Sequence, residues 1–150
     1  MPDDFWPDIA SPSHRAPATI LAEQTPLLGQ KTQNVVTARV RRMKMKNPHR
    51  VGYAFEVVAP ALNNYAAILF KIAHDLTELY PVKIYDTVLP PDHDDSTAEP
   101  TEKEFLAENE AEFIEIIKEI LKNPRVTAVI QALMAQSEGD VRSEEDEIPF

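Results

Sequence analysis

The chain has 150 residues, of which 43% are hydrophobic, and a formal net charge of −10. This length supports one domain whose hydrophobic core needs no metal or disulfide. The absence of cysteine excludes disulfides, thiolate nucleophiles and cysteine-ligated zinc. With 3 glycines against 13 prolines, the chain also lacks the glycine-rich loops that bind phosphates.

The N-terminus and the hydropathy pattern argue against a secreted or membrane protein. Residues 1–14 lack the basic start and apolar stretch of a secretion signal. No apolar run approaches the roughly 20 residues that are needed to cross a bilayer. We therefore expect a cytoplasmic protein that does not contact a membrane.

Charge is distributed unevenly along the chain. Residues 1–86 carry 10 basic and 8 acidic side chains, a net of +2, whereas residues 87–150 carry 5 basic and 17 acidic ones, a net of −12. An acidic chain disfavours non-specific binding to nucleic acid unless its basic residues are segregated on one surface.

The first 16 residues contain three prolines and little periodicity, which predicts an extended or disordered arm. Phe5 and Trp6 are adjacent large aromatics in this polar arm. They could dock into a groove on the body of the protein or on a partner. Residues 17–29 then predict a short helix that Pro26 interrupts.

Residues 34–45 and 51–57 both alternate apolar and polar side chains, the pattern of half-buried strands. Because only a short polar turn separates them, they predict an antiparallel hairpin. Glu56 could pair across this hairpin with Arg39 or Arg41, a contact worth roughly a few tenths of a kcal/mol.

Residues 64–79 fit either a helix or a strand, and the fold depends on which one forms. As a helix, Asn64 caps about four turns with one apolar face, although Phe70 lies off that face. If the segment is a strand, its apolar alternation ends at His74, and Asn63-Asn64 form the hairpin turn that precedes the strand. We favour the helix, which with a strand at residues 82–89 predicts a right-handed βαβ-like centre. The alternative is an antiparallel meander.

Two further helices are predicted in the acidic part of the chain. The first spans Thr101 to Leu121, with Thr101 and Glu104 as a capping box. The second begins at Pro124 and ends near Gln136.

These elements predict an α+β fold: a small, mostly antiparallel sheet of three or four strands with a βαβ-like centre, packed by helices, and a C-terminal helical pair. The predicted divisions are an arm at residues 1–16, one domain at 17–136 and an acidic, disordered tail at 137–150.

Candidate catalytic and metal-binding groups are incomplete. The acidic loop at residues 92–95 lacks the spacing of a calcium-binding loop. His74, Asp75 and Glu78 have no nucleophile or oxyanion loop beside them. The glutamates of residues 108–119 lack the Glu-x-x-His motif of carboxylate metal centres. We therefore expect no enzyme, no cofactor and no metal.

Binding features are more informative than catalytic ones. Six of the twelve residues at 39–50 are basic and could contact nucleic acid. No aromatic on the basic side of this strand could stack on a base. The acidic helix of the chain could neutralise these residues instead. Ile148 and Phe150 follow an acidic run and could anchor a tail that folds on binding.

The leading hypothesis is a non-catalytic protein-binding module, a regulatory or accessory subunit of a larger or self-associated assembly. The first alternative is an acidic inhibitor or antitoxin-like protein that covers a basic partner, and the second is nucleic-acid binding through residues 39–50. The candidate partner-binding residues are Phe5, Trp6, Arg39, Arg41, Arg42, Glu112, Glu115, Glu119, Ile148 and Phe150.

Overall fold

The structure, a computed structural model, describes residues 3–88 and 103–138. In chain order its helices and strands are α1 (Pro17–Lys31), β1 (Thr37–Met43), β2 (Arg50–Ala59), β3 (Tyr65–Asp75), β4 (Val82–Asp86), β5 (Lys103–Ala107), α2 (Glu110–Lys122) and α3 (Pro124–Glu138). Within these residues the strands form one antiparallel sheet in the order β1-β2-β3-β4-β5. The α+β class is confirmed, and the described part of the chain contains five strands where three or four were predicted.

The predicted hairpin is confirmed as β1 and β2. Arg39 lies directly opposite Glu56 in their register, and Arg41 lies opposite Ala54, one pair further along the same face. The alternation of apolar and polar side chains therefore identified both the pairing and the faces of these strands.

The helix predicted for residues 64–79 is wrong, because β3 is a strand from Tyr65 to Asp75. It lies between β2 and β4 and pairs antiparallel with both, so the predicted βαβ-like centre is also wrong. Phe70, which fits the helix poorly, is fully buried in the strand and stacks on Phe55 with 5.0 Å between ring centroids. Cross-strand packing of this kind outweighs the helix propensity of the segment.

The start of β3 also follows the strand alternative. Asn63 and Asn64 both have positive φ angles, 60° and 58°, and follow a 3-10 turn at Pro60–Leu62. Asparagine tolerates this left-handed region better than most residues. Asn64 is therefore part of the turn between β2 and β3, and the predicted helix cap at this position is wrong.

The helix predicted for residues 101–121 is wrong over residues 103–109. Lys103–Ala107 form β5, which pairs with β4, and α2 begins only at Glu110. The N-cap is Asn109, whose side chain accepts a hydrogen bond from the N–H of Glu112 at 2.9 Å. The Glu112 carboxylate in turn accepts from the N–H of Glu108 at 2.7 Å. The predicted capping box is wrong for Glu104, which lies in β5, and Thr101 lies outside the described residues.

Pro26 does not interrupt α1, which continues to Lys31. A proline inside a helix leaves the carbonyl four residues earlier without its usual N–H partner. Here that carbonyl belongs to Ala22, and the Thr25 hydroxyl donates to it at 2.8 Å. The neighbouring side chain therefore satisfies the group that the proline leaves unpaired.

The three helices pack on one face of the sheet around a shared hydrophobic core. The helical pair α2 and α3 is confirmed, and both contribute to this core together with α1. We call the opposite face the open face, because the core cluster of the described residues lies on the helical side. The core side chains contributed by the helices are Ile20, Leu21, Phe113, Ile117, Ile120, Val126 and Leu133.

No helix within residues 3–88 and 103–138 combines the length and the apolar character that a membrane span requires.

Candidate protein-binding surfaces

The N-terminal arm, residues 3–14, contains neither a helix nor a strand and is exposed throughout. Its apolar side chains Phe5, Trp6 and Ile9 are 93%, 78% and 77% exposed. The N–H of Trp6 donates to the Asp4 carboxylate at 3.0 Å, a contact within the arm itself. Burying a side chain such as Phe stabilises a protein by about 1.5–3 kcal/mol. The arm therefore carries apolar surface that the described body does not cover.

The base of the arm is held against the body at Arg15. Its N–H donates to the Glu110 carboxylate at 2.8 Å, and its carbonyl accepts from the Tyr80 hydroxyl at 3.3 Å. Its guanidinium also contacts Glu23. These contacts fix the point at which the arm leaves α1, close to the N-terminus of α2.

Tyr80 is suited to this holding role because it stays protonated. Burial raises the pKa of its hydroxyl to about 12, and the negative charge of Glu110 contributes in the same direction. Its ring meets Phe113 of α2 edge to face, with 6.3 Å between centroids. Tyr80 thus connects the arm base to the core as a neutral hydrogen-bond donor.

The predicted contact between Glu56 and the hairpin arginines is confirmed, and both arginines share it. The Glu56 side chain is 4% exposed, and its Oε1 accepts from the Nε atoms of Arg39 and Arg41 at 3.1 and 2.8 Å. Burial by itself raises the pKa of Glu56, but the hydrogen bonds and charges of Arg41 and Arg39 outweigh it, so the pKa lies below its usual value. Glu56 of β2 thus partly compensates the charge of Arg39 and Arg41.

The structure does not bring the third hairpin arginine to this cluster. Arg42 alternates to the other face of β1, opposite Tyr53 of β2. It forms no ion pair within the part of the chain that the structure describes. Of the three predicted hairpin arginines, Arg39 and Arg41 therefore lie together and are bound to one carboxylate, and Arg42 lies apart from them.

The predicted acidic residues of α2 have different environments. Glu112 takes part in the cap of α2, whereas Glu115 lies 3.6 Å from Lys118 on an exposed stretch of the helix. Glu119 is exposed as well. Glu112 and Glu115 line a shallow depression with Leu106 of β5, an apolar side chain that is half exposed. Ile148 and Phe150 lie outside the described residues.

A second apolar surface, which the sequence did not reveal, lies between α1 and α3. We call it the inter-helix groove; its volume is about 320 Å³. Leu27, on its wall, is 41% exposed. The groove is lined by Gln24, Leu27, Leu28, Lys31, Phe55, Leu69, Leu121, Val126, Thr127 and Ile130.

The residues considered for catalysis at the end of β3 have a structural role. His74 is buried, and its Nδ1 lies 2.8 Å from the carbonyl oxygen of Asp75 and 3.1 Å from that of Glu78. The Asp75 carboxylate accepts from Arg50 at 2.9 Å. The contacts of His74 therefore stabilise the turn that ends β3, and the Asp75 carboxylate is directed to Arg50.

Among residues 3–88 and 103–138, no group of three or more His, Asp or Glu side chains converges to hold a metal ion.

Comparison of the chain with protein-family models, with curated proteins and with solved structures finds no match in any of the three.

Proposed function

We propose that this chain is a non-catalytic protein-binding module, a regulatory or accessory subunit whose N-terminal arm contacts its partner. The observation that carries the proposal is the exposure of Phe5, Trp6 and Ile9 within five positions of one arm. Aromatic side chains dominate the binding energy of protein interfaces, and tryptophan is enriched among the strongest contributors. The aspartates around them supply the polar rim that usually surrounds such a centre.

The way the arm is held supports this function. Arg15 anchors its base to Glu110 and Tyr80, so residues 3–14 project from a defined point on the body. Pro7 and Pro12 restrict the backbone of the free arm, which reduces the entropy lost when it is ordered by a partner. A short, partly restricted arm with apolar side chains is therefore suited to reversible binding.

The hairpin contacts favour a protein partner over nucleic acid. Arg39 and Arg41 both donate to Glu56, so their charge is already partly compensated within the sheet. Phosphate binding would require the same guanidiniums to exchange this carboxylate for phosphate oxygens.

A second candidate, the acidic inhibitor, is supported by the depression beside α2. Exposed Leu106 lies there next to the carboxylates of Glu112 and Glu115. An apolar contact rimmed by negative charge would complement a basic partner site. Changing Glu115 and Glu119 to glutamine would weaken such a complex most at low salt, since exposed charges are screened as ionic strength rises.

Affinity capture from the source cell tests the proposed function. The bait is the full chain, compared with the double variant Phe5→Ala/Trp6→Ala and with the matched arm control Ser11→Ala/Ser13→Ala. We expect the partner to be lost with the aromatic variant and retained with the serine control. Equal recovery of the same partner by all three proteins would contradict the role of the arm. Circular dichroism should show that all three unfold at the same temperature, since these side chains are exposed.

A further inference from the structure

The inter-helix groove is an apolar site that the described chain leaves open. Phe55 and Leu69 of the sheet form its floor, and the helix side chains Leu27, Val126 and Ile130 form its walls. Its volume of about 320 Å³ lies at the lower end of the range of about 300–1,000 Å³ that ligand pockets occupy. Such a volume suits one or two apolar side chains of a short peptide segment better than a whole helix.

The charges at the groove complement those of the arm. Lys31 lines the groove, and Lys122 and Arg125 are the sequence neighbours of the lining residues Leu121 and Val126. Glu23 adjoins Gln24 in the same way, but its carboxylate is paired with Arg15. None of the residues that line the groove is acidic. Complementary charge of this kind orients an encounter and fixes its register. The acidic residues of the described arm are Asp3, Asp4 and Asp8.

We propose that the inter-helix groove binds the N-terminal arm of a second copy of this chain, so that two copies exchange arms and form a homodimer. The proposal rests on the proposed function, because it names the partner of the arm. Phe5 and Trp6 would enter the groove of the neighbouring copy, with the flanking aspartates near its basic rim. A two-fold axis would make the two contacts identical, as in most homodimers.

The exposed course of the arm favours a neighbouring copy over the chain's own groove. Arg15 is held at Glu110, at the start of α2, whereas Leu121 at the groove is eleven residues further along that helix, about 17 Å at 1.5 Å per residue. Every residue from 3 to 15 is exposed, so the arm does not lie back on its own body. The nine residue-to-residue steps from Trp6 to Arg15 can span up to about 30 Å, which is enough to reach either groove, so the exposed course of the arm is what distinguishes the two.

Engineered disulfides test this geometry directly, because the chain has no cysteine of its own. One protein carries Pro7→Cys, which leaves Phe5, Trp6 and the aspartates intact, and the other carries Thr127→Cys in the groove. We expect mixing under mild oxidation to give a species of about twice 16.9 kDa in which peptide mapping finds the mixed disulfide between positions 7 and 127 in excess over the 7–7 and 127–127 disulfides. The matched control replaces Thr127→Cys by Leu76→Cys, an exposed position seven residues along the sheet from Leu69, about 23 Å away.

The double variant Pro7→Cys/Thr127→Cys separates the two possible sources of the arm. Arm exchange predicts cross-linked dimers whose yield falls on dilution. A disulfide formed within one chain at every dilution would overturn the second copy as the occupant. Linkage that is no more frequent to position 127 than to position 76 would overturn the groove as the binding site.

Light scattering provides a second readout that needs no cysteine. We expect the mass of the wild-type protein to approach twice 16.9 kDa as its concentration rises, with Leu76→Asp behaving in the same way. Leu27→Asp, which places a charge at an already exposed groove position, should remain a monomer over the same range. A wild-type protein that is monomeric at every concentration would overturn the homodimer. The proposed function would survive that result if Phe5→Ala/Trp6→Ala still lost a different captured partner.

Discussion

Changing Glu56 to glutamine tests whether this buried carboxylate organises the open face of the sheet. The side chain is 4% exposed and accepts hydrogen bonds from Arg39 and Arg41. Hydrogen bonds to charged groups contribute about 1.5–3 kcal/mol, and breaking a fully buried ion pair costs about 3–5 kcal/mol. Because both guanidiniums are nearly half exposed, water can replace part of what they lose. We therefore expect Glu56→Gln to lower the free energy of unfolding by about 1.5–3 kcal/mol at pH 7.

The same substitution should change how stability depends on pH. The pKa of Glu56 in the folded chain is lower than usual, because the two arginines outweigh the opposing effect of burial. A carboxyl group with a lowered folded-state pKa contributes stability above its unfolded pKa of about 4.3, and loses it as the pH falls through the folded pKa. The difference between wild type and Glu56→Gln should therefore be constant near neutrality and shrink below about pH 4.

Urea unfolding followed by circular dichroism at several pH values measures both effects. The control is Glu104→Gln, because the Glu104 carboxylate is half exposed and lies 3.8 Å from Lys83. We expect this control to change stability by less than about 1 kcal/mol. The reasoning would be refuted if Glu56→Gln were as stable as the wild type at pH 7, or if the difference between the two proteins did not shrink in acid.

Three further predictions concern the core, the cap of α2 and the arm base. Phe70→Ala should lower the free energy of unfolding by about 3–5 kcal/mol, because the ring is fully buried on Phe55; a loss below about 1 kcal/mol in urea would contradict this packing. Asn109→Ala should cost about 1 kcal/mol through loss of the cap, and unchanged thermal unfolding would show that the cap contributes nothing. Tyr80 should ionise near pH 12 in an ultraviolet titration that uses Tyr80→Phe as the reference. Its contribution to stability is complete below about pH 10 and is lost as the pH rises through about 12. Ionisation of Tyr80 near pH 10 would contradict its burial.

The parts of the fold that depend on local alternation could be predicted from the sequence. The β1–β2 hairpin and the contact between Glu56 and its arginines follow from period-two spacing. Alternate residues of each strand share a face, so the register places Glu56 on the same face as Arg39 and Arg41. α3 begins at Pro124, as its position after Asn123 predicts.

The strand β3 could not be predicted securely because its apolar residues satisfy both periods. Helical spacing holds across residues 64–79, and what decides between the two structures is pairing with β2 and β4, which is not local. Phe70 was the signal within the sequence, since it fits the strand and not the helix. At the start of α2, Asn109 and Glu112 have the same three-residue spacing as the capping box predicted earlier in the chain.

The candidate binding surfaces also differ in whether the local sequence indicates them. Aromatics in a polar, proline-containing arm indicated a segment that docks on the body or on a partner, and in the structure Phe5 and Trp6 are exposed. The inter-helix groove unites α1 with α3, which begins more than ninety residues later, so no local pattern could indicate it. The alternation of side chains along β1 does explain why Arg42 lies apart from Arg39 and Arg41.

Fluorescence of Trp6, the only tryptophan in the sequence, tests the central claim most directly. The measurement is the access of a soluble quencher to this indole in dilute protein and in the assembled state, whether the assembly is with a second copy or with a captured partner. We predict an accessible indole in the dilute protein, and protection with emission at shorter wavelength on assembly. An indole that is already protected in the dilute monomer, or one that stays fully accessible after assembly, would contradict the arm as the binding surface.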